Sequence, residues 1–208
     1  MKETEAMAKT QRSTRSSKSA QRRGRVAQAR SNRRWIWVLV GVGIALLALA
    51  LLFFRSQGTV SDIQGVTTFD NLPRTHQEGQ LTYPQSPPVG GVHNPVWQNC
   101  GIYDQPIQNE NGVHSLEHGA VWITYRPDLP VQDIEQLRSL VRGRPYTLLS
   151  PYPGLPAPVV ASAWGVQLKV DSASDSRLAQ FIAKYAQGPQ TPEPGAPCTG
   201  GVGTPISR

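Results

Sequence analysis

The run Val113-His114-Ser115-Leu116-Glu117-His118-Gly119 holds two of the chain's four histidines, four residues apart, with a carboxylate beside the second. On a helix, positions i and i+4 share a face with Cβ atoms about 5–6 Å apart, so His114 and His118 can address one metal ion. Two ligands do not hold an ion firmly; zinc takes roughly three or four protein ligands. His93, in a loop of Gly, Pro and Asn, is the expected third ligand, with His76 and Glu117 as further candidates. Imidazole suits Zn, Cu, Fe and Ni alike, so ligand type alone does not choose the metal, and Zn or Cu is the expected cofactor.

Two other readings of the same residues stand beside metal binding. His114-x-x-Glu117-His118 has the H-x-x-E-H arrangement of inverted zinc proteases, in which Glu117 acts as general base. The helix available between Gly112 and Gly119 is little more than one turn, and the domain is small for such an enzyme, so hydrolysis ranks below the others. In the third reading the chain is a cell-envelope interaction module. Its histidines then serve structure, satisfying backbone groups by hydrogen bonds.

A site on this run needs elements to position it. Val113–His118 reads as one or two helical turns closed by Gly119 as C-cap, followed by a strand over Ala120–Tyr125. Asp128 can N-cap a helix whose apolar stripe is Ile134, Leu137, Leu140 and Val141, stopped at Gly143. Tyr146–Leu149 reads as a strand, and Val159–Val170 as one further strand bent at Gly165. Ser174 or Asp175 can cap a last helix, with Leu178, Phe181, Ile182 and Tyr185 on its apolar face. Upstream, Val66–Phe69 is a short strand candidate. Asn71–Asn111 is a Pro/Gly-rich loop, and a loop so long inside a compact domain is functional or anchored. Trp97, Cys100, Ile102, Tyr103 and Ile107 can pin it to the core, whereas Asp104 and Glu110 read as turn and solvent residues. The expected fold class is α+β: a small, mostly antiparallel sheet with two helices packed on one face and a long ordered N-terminal loop.

Charge is segregated along the chain. Residues 1–34 carry eleven Lys/Arg and two acids, and residues 55–208 carry ten and twelve, which together make the net +7. The basic character therefore belongs to a Ser/Gln/Arg/Lys tail that lacks the apolar residues needed to fold. Between these segments, residues 35–54 are twenty residues without a charge. At 1.5 Å per residue such a run spans roughly 30 Å, the thickness of a bilayer core. Trp35, Trp37, Phe53 and Phe54 lie at its ends, and the Lys/Arg excess before it sets the N-terminus in the cytoplasm. The expectation is a single-pass protein of the cell membrane. Its basic tail (1–34) is attracted to anionic lipid headgroups, a linker covers 55–65, and an outward-facing domain covers 66–208. The tail lacks interleaved aromatics, so nucleic acid is not an expected partner, and nothing in the chain identifies a protein partner.

The two cysteines, Cys100 and Cys198, fall in the domain expected to face an oxidising compartment, where an even count reads as a disulfide. Closing a loop of this length is worth ~4.7 kcal/mol on the chain-entropy account.

Pro87-Pro88-Val89-Gly90-Gly91-Val92-His93, then Gly101-Ile102-Tyr103-Asp104, then the Val113–Gly119 run with its following strand, together resemble a bacterial family known as domain of unknown function 3105 (DUF3105). The resemblance covers roughly residues 60–200 and includes the N-terminal anchor. It implies His93, His114, Glu117 and His118 as motif residues, and it implies no particular activity. Gly90 stands where the family's PP-x-x-G-x-H element often has Ser, which puts no ligand in doubt.

Overall fold

The computed structural model describes residues 62–207, together with 39, 42–44 and 46. The expected tail over 1–34 and nearly all of the expected span over 35–54 lie outside these residues; Leu39, Val42, Gly43, Ile44 and Leu46 are helical. Among the described residues no helix is long and apolar enough to cross a membrane. The chain divides into two units, Met1–Thr59 and Val60–Arg208. The second unit carries all four histidines.

That unit is α+β. Its strands are β1 (Val66–Thr68), β2 (Gly101–Ile102), β3 (Val121–Tyr125), β4 (Thr147–Pro151), β5 (Val159–Ala163) and β6 (Val166–Val170). They form one six-stranded sheet in the order β1-β6-β5-β3-β4-β2. The β1–β6, β6–β5 and β5–β3 pairs are antiparallel, and β3–β4 and β4–β2 are parallel. The sheet is thus mostly antiparallel. The helices are α1 (Asn109–Glu117), α2 (Val131–Val141) and α3 (Ser176–Tyr185).

Helices cover both faces of the sheet rather than the one face expected. Every residue of β3 and of β4 is buried, as in strands with both faces covered. Val121, Ile123, Tyr125 and Leu149 pack with Leu137 and Val141 of α2 and with Leu178, Phe181, Ile182 and Tyr185 of α3. Trp122 and Leu148 turn the other way, against Val113 and Leu116 of α1 and the Cys100–Cys198 disulfide. The apolar stripes of α2 and α3 are the expected ones.

Four local expectations change. The segment expected as one bent strand is the β5–β6 hairpin, with Ala163 opposite Val166 and the turn made by Trp164 and Gly165. Gly165 holds φ +70, which lets a two-residue turn reverse the chain. Asp128 does not cap α2; the N-cap is Pro130, and Asp128 Oδ1 lies 3.4 Å from Arg126 Nε. Asp175 does cap α3, accepting from the Arg177 amide at 2.9 Å. Glu110 is not a solvent residue: it is buried, and its Oε1 accepts from the Leu81 amide at 2.7 Å. Helix α1 starts a turn earlier than expected, at Asn109, and a carboxylate in the first turn suits the helix dipole.

Long-range bonds order the loop before α1. Gln77 N donates to His93 O (2.7 Å), and His93 N donates to Thr75 O (3.1 Å). Ser115 Oγ, on α1, donates to Gln98 O at 2.7 Å. The C-terminal strap closes over the same region: Cys100 N donates to Cys198 O and Val202 N to Trp97 O. Ile63, in the stretch expected as linker, is buried in the main core.

Gly112 lets α1 lie flat on the sheet, since a Cβ there would come 2.8 Å from the Trp122 ring. That ring is fully buried and its Nε1 donates to Ser150 Oγ at 3.0 Å, so it cannot retreat. Helix propensity alone favours Gly112→Ala by up to about 1 kcal/mol. Overpacking typically costs about 1–3 kcal/mol and outweighs that gain here. Urea titration of Gly112→Ala is expected to show a lower midpoint than wild type, and a raised midpoint would contradict this packing.

Candidate metal centre

Helix α1 with its cap and the loop before it bring the four histidines together. His114 and Glu117 project from α1, and His118 is its C-cap residue. His93 and His76 come from the loop, where an isolated parallel bridge sets them side by side. Gly119, at φ +92, ends the helix, and the chain then enters β3. One ligand atom from each of His76, His93, His114 and Glu117 lies within 4.8 Å of the others. His93, His114, Glu117 and His118 are each at most 4% exposed. The side chain of His76 is 44% exposed and forms the solvent side of the group.

Backbone carbonyls fix the orientation of three rings. His93 Nδ1–H donates to Gly91 O at 2.7 Å, His114 Nδ1–H to Asn94 O at 2.6 Å, and His118 Nδ1–H to Pro197 O at 2.7 Å. A carbonyl only accepts, so each Nδ1 carries the proton and each neutral ring presents a bare Nε2. His93 Nε2 faces Glu117 Oε2 at 2.8 Å, and His114 Nε2 faces His118 Nε2 at 2.9 Å. His76 Nε2 lies 3.7 Å from the same Glu117 oxygen. Each close pair sets acceptor against acceptor and requires a proton or a cation between or beside them. Histidines that bind metals commonly donate the other ring N–H to a carbonyl or carboxylate, which fixes the tautomer and aims the lone pair.

At His114 the surroundings disfavour the proton. Burial is the main reason that the His114 pKa falls to about 4; the Asn94 hydrogen bond opposes this, and neighbouring His118, His93 and His76 reinforce it. For Glu117, burial pushes the pKa up. A hydrogen bond from His93, made when its Nε2 also carries a proton, and the charges of the protonated His93, His114 and His76 rings outweigh it and hold the carboxylate below its ordinary value. Aromatic rings wall the group. Trp164 meets His93 edge-on at 5.8 Å, and Trp97 lies over His118 and His114 at 5.0 and 5.7 Å.

Of the expected ligands, His93 and His114 fall in the group together with the secondary candidates His76 and Glu117. His118 is adjacent to it through His114. Glu193 was not legible beforehand: its Oε2 lies 3.6 Å from His118 Nε2 and its backbone N donates to Glu117 O at 3.0 Å. The one available signal was its place five residues before Cys198, whose pairing with Cys100 draws the strap toward the loop.

Residues 75–200, more than half of the chain, match the family model described as Protein of unknown function (DUF3105). The chain belongs to this family. No curated protein and no solved structure matches it significantly. The matched segment of the DUF3105 domain contains all four histidines, Glu117, Glu193 and both cysteines.

The low pKa of His114 means that the unfolded chain binds a proton there before the folded chain does. Stability from this group is complete above its ordinary value of 6.5 and is lost as the pH falls toward about 4. The depressed Glu117 pKa acts in the same direction, its contribution disappearing as the pH falls through the folded value. Thermal melts of the metal-free chain are therefore expected to show a falling Tm between pH 6.5 and 4, with a flatter profile in His114→Asn. A Tm that rises on acidification would contradict the buried, neutral imidazole.

Proposed function

We propose that this chain is a membrane-anchored, extracytoplasmic metal-binding protein that holds one zinc or copper ion through His76, His93, His114 and Glu117. The observation that carries the reading is the set of bare, buried Nε2 atoms aimed at one another by carbonyl-bonded Nδ1–H groups. A purely structural histidine network accounts for the carbonyl bonds. It also needs a proton held between His114 and His118, and burial disfavours that proton on His114. Three imidazoles and a carboxylate form a donor set suited to zinc or copper.

The hydrolase reading has less support. In H-x-x-E-H chemistry both histidines bind one ion and the glutamate is left for water. Here Glu117 Oε2 is engaged with His93 and His76, which suits a ligand better than a general base. The anchor rests on the uncharged run over 35–54 and on the exposed apolar side chains of Leu39, Val42, Ile44 and Leu46. The disulfide fits an oxidising compartment outside the membrane. The basic tail supports a cytoplasmic N-terminus held near anionic lipid headgroups.

Metal analysis of the full chain purified in detergent is expected to find about one zinc or copper ion per chain after reconstitution. His93→Ala and His114→Ala should weaken binding by roughly 100-fold or more, since even the loss of an outer partner costs about 10–100-fold. His76→Ala removes an exposed ring, so its expected loss of affinity is free of any folding defect. Wild-type protein that takes up neither metal would overturn the reading.

A further inference from the structure

The residues beyond His114 extend the ligand set to Glu193, whose side chain is partly exposed. His118 Nε2 stands 2.9 Å from His114 Nε2 and 3.6 Å from Glu193 Oε2. Glu193 is 52% exposed, so its carboxylate reaches solvent on the strap side, whereas His118 is buried. An ion with bonds of ~2.0–2.1 Å is shared by two donor atoms up to about 4 Å apart. Both of these spacings satisfy that limit, and so do the 2.8 and 3.7 Å steps from Glu117 to His93 and His76. The donors therefore form a continuous series from the exposed Glu193 through His118 and His114 to the buried group. The Trp97 ring packs, tilted, against both His114 and His118 and walls this part of the series.

We propose a second, transient cation position formed by Glu193, His118 and His114, through which a divalent metal ion reaches the His76–His93–His114–Glu117 position. This rests on the metal-binding reading above. With Nδ1–H committed to Asn94 O, His114 has a single lone pair, on Nε2. It serves one position at a time, so the two positions exchange an ion and do not hold two. Glu193 and His118 receive the ion, His114 carries it across by changing partners, and the buried donors retain it. The strap sets this geometry, through Pro197 O on His118 and the Glu193 amide on Glu117 O, with the Cys100–Cys198 disulfide beside them.

The test is stopped-flow binding of cobalt(II) to the full chain in detergent, followed by its visible absorption, with equilibrium affinity and stoichiometry measured on the same samples. Wild type should bind one ion per chain. Glu193→Gln and Glu193→Asp should slow association by about tenfold, within the spread seen among variants of one site, and leave the affinity and the final spectrum nearly unchanged. The slowing should persist at about 1 M salt, where the Debye length of about 3 Å removes long-range attraction by a surface charge. His118→Ala should slow association similarly. Unchanged association rates in all three variants, slowing that disappears at high salt, or two tightly bound ions per chain would each overturn the transfer position. Wild type that binds no cobalt would instead overturn the metal-binding reading beneath it.

Discussion

Three backbone carbonyls, those of Gly91, Asn94 and Pro197, each take the Nδ1 proton of one histidine. The chemistry of the site follows from this constraint. With the tautomers fixed, the Nε2 atoms are lone-pair donors, and the fold packs them against one another and against Glu117 where little water enters. An unpaired buried polar group is expensive. A proton placed on His114 works against that ring's depressed basicity, whereas a metal ion uses the same lone pairs directly.

The architecture can be understood as the means of delivering those carbonyls. Gly91 and Asn94 lie in the loop before α1, and Pro197 lies in the strap after α3, so segments far apart in sequence must close on one short helix. The sheet supplies the floor, with Trp122 under Gly112 fixing the height of α1. Gly119 turns the chain out of the helix immediately after His118. The Cys100–Cys198 disulfide joins loop and strap beside the residues that hold the rings. Such a cross-link acts mainly on the unfolded chain by limiting loop entropy. Here it also lies next to the carbonyl that orients His118.

Much of this was legible in the sequence because the signals were periodic or paired. The stripes of α2 and α3, the strand after Gly119, the disulfide and the pairing of His93 with His114 all follow from residue type and spacing. The β5–β6 hairpin did not, because Val159–Val170 is apolar through its turn and Trp164-Gly165 lacks the Asn or Asp that marks most two-residue turns. Strand β2 is only two residues long, and its pairing with β4 depends on tertiary contacts. The burial of Glu110 was not legible either, because its partner is a backbone amide twenty-nine residues away. The second covered face was not expected because α1, expected as one or two helical turns over Val113–His118, is a nine-residue helix that packs on the sheet. Glu193 carries no local pattern, and only the three-dimensional course of the strap brings it to His118.

The central claim is that a metal ion is held by imidazole and carboxylate donors at the junction of α1 and the loop. X-ray absorption spectroscopy of the zinc-loaded full chain tests it most directly. The account predicts nitrogen and oxygen scatterers at ~2.0–2.1 Å, with the outer-shell pattern of about three imidazoles and no sulfur. A shell at ~2.3 Å from cysteine sulfur, or a first shell without imidazole scattering, would contradict it.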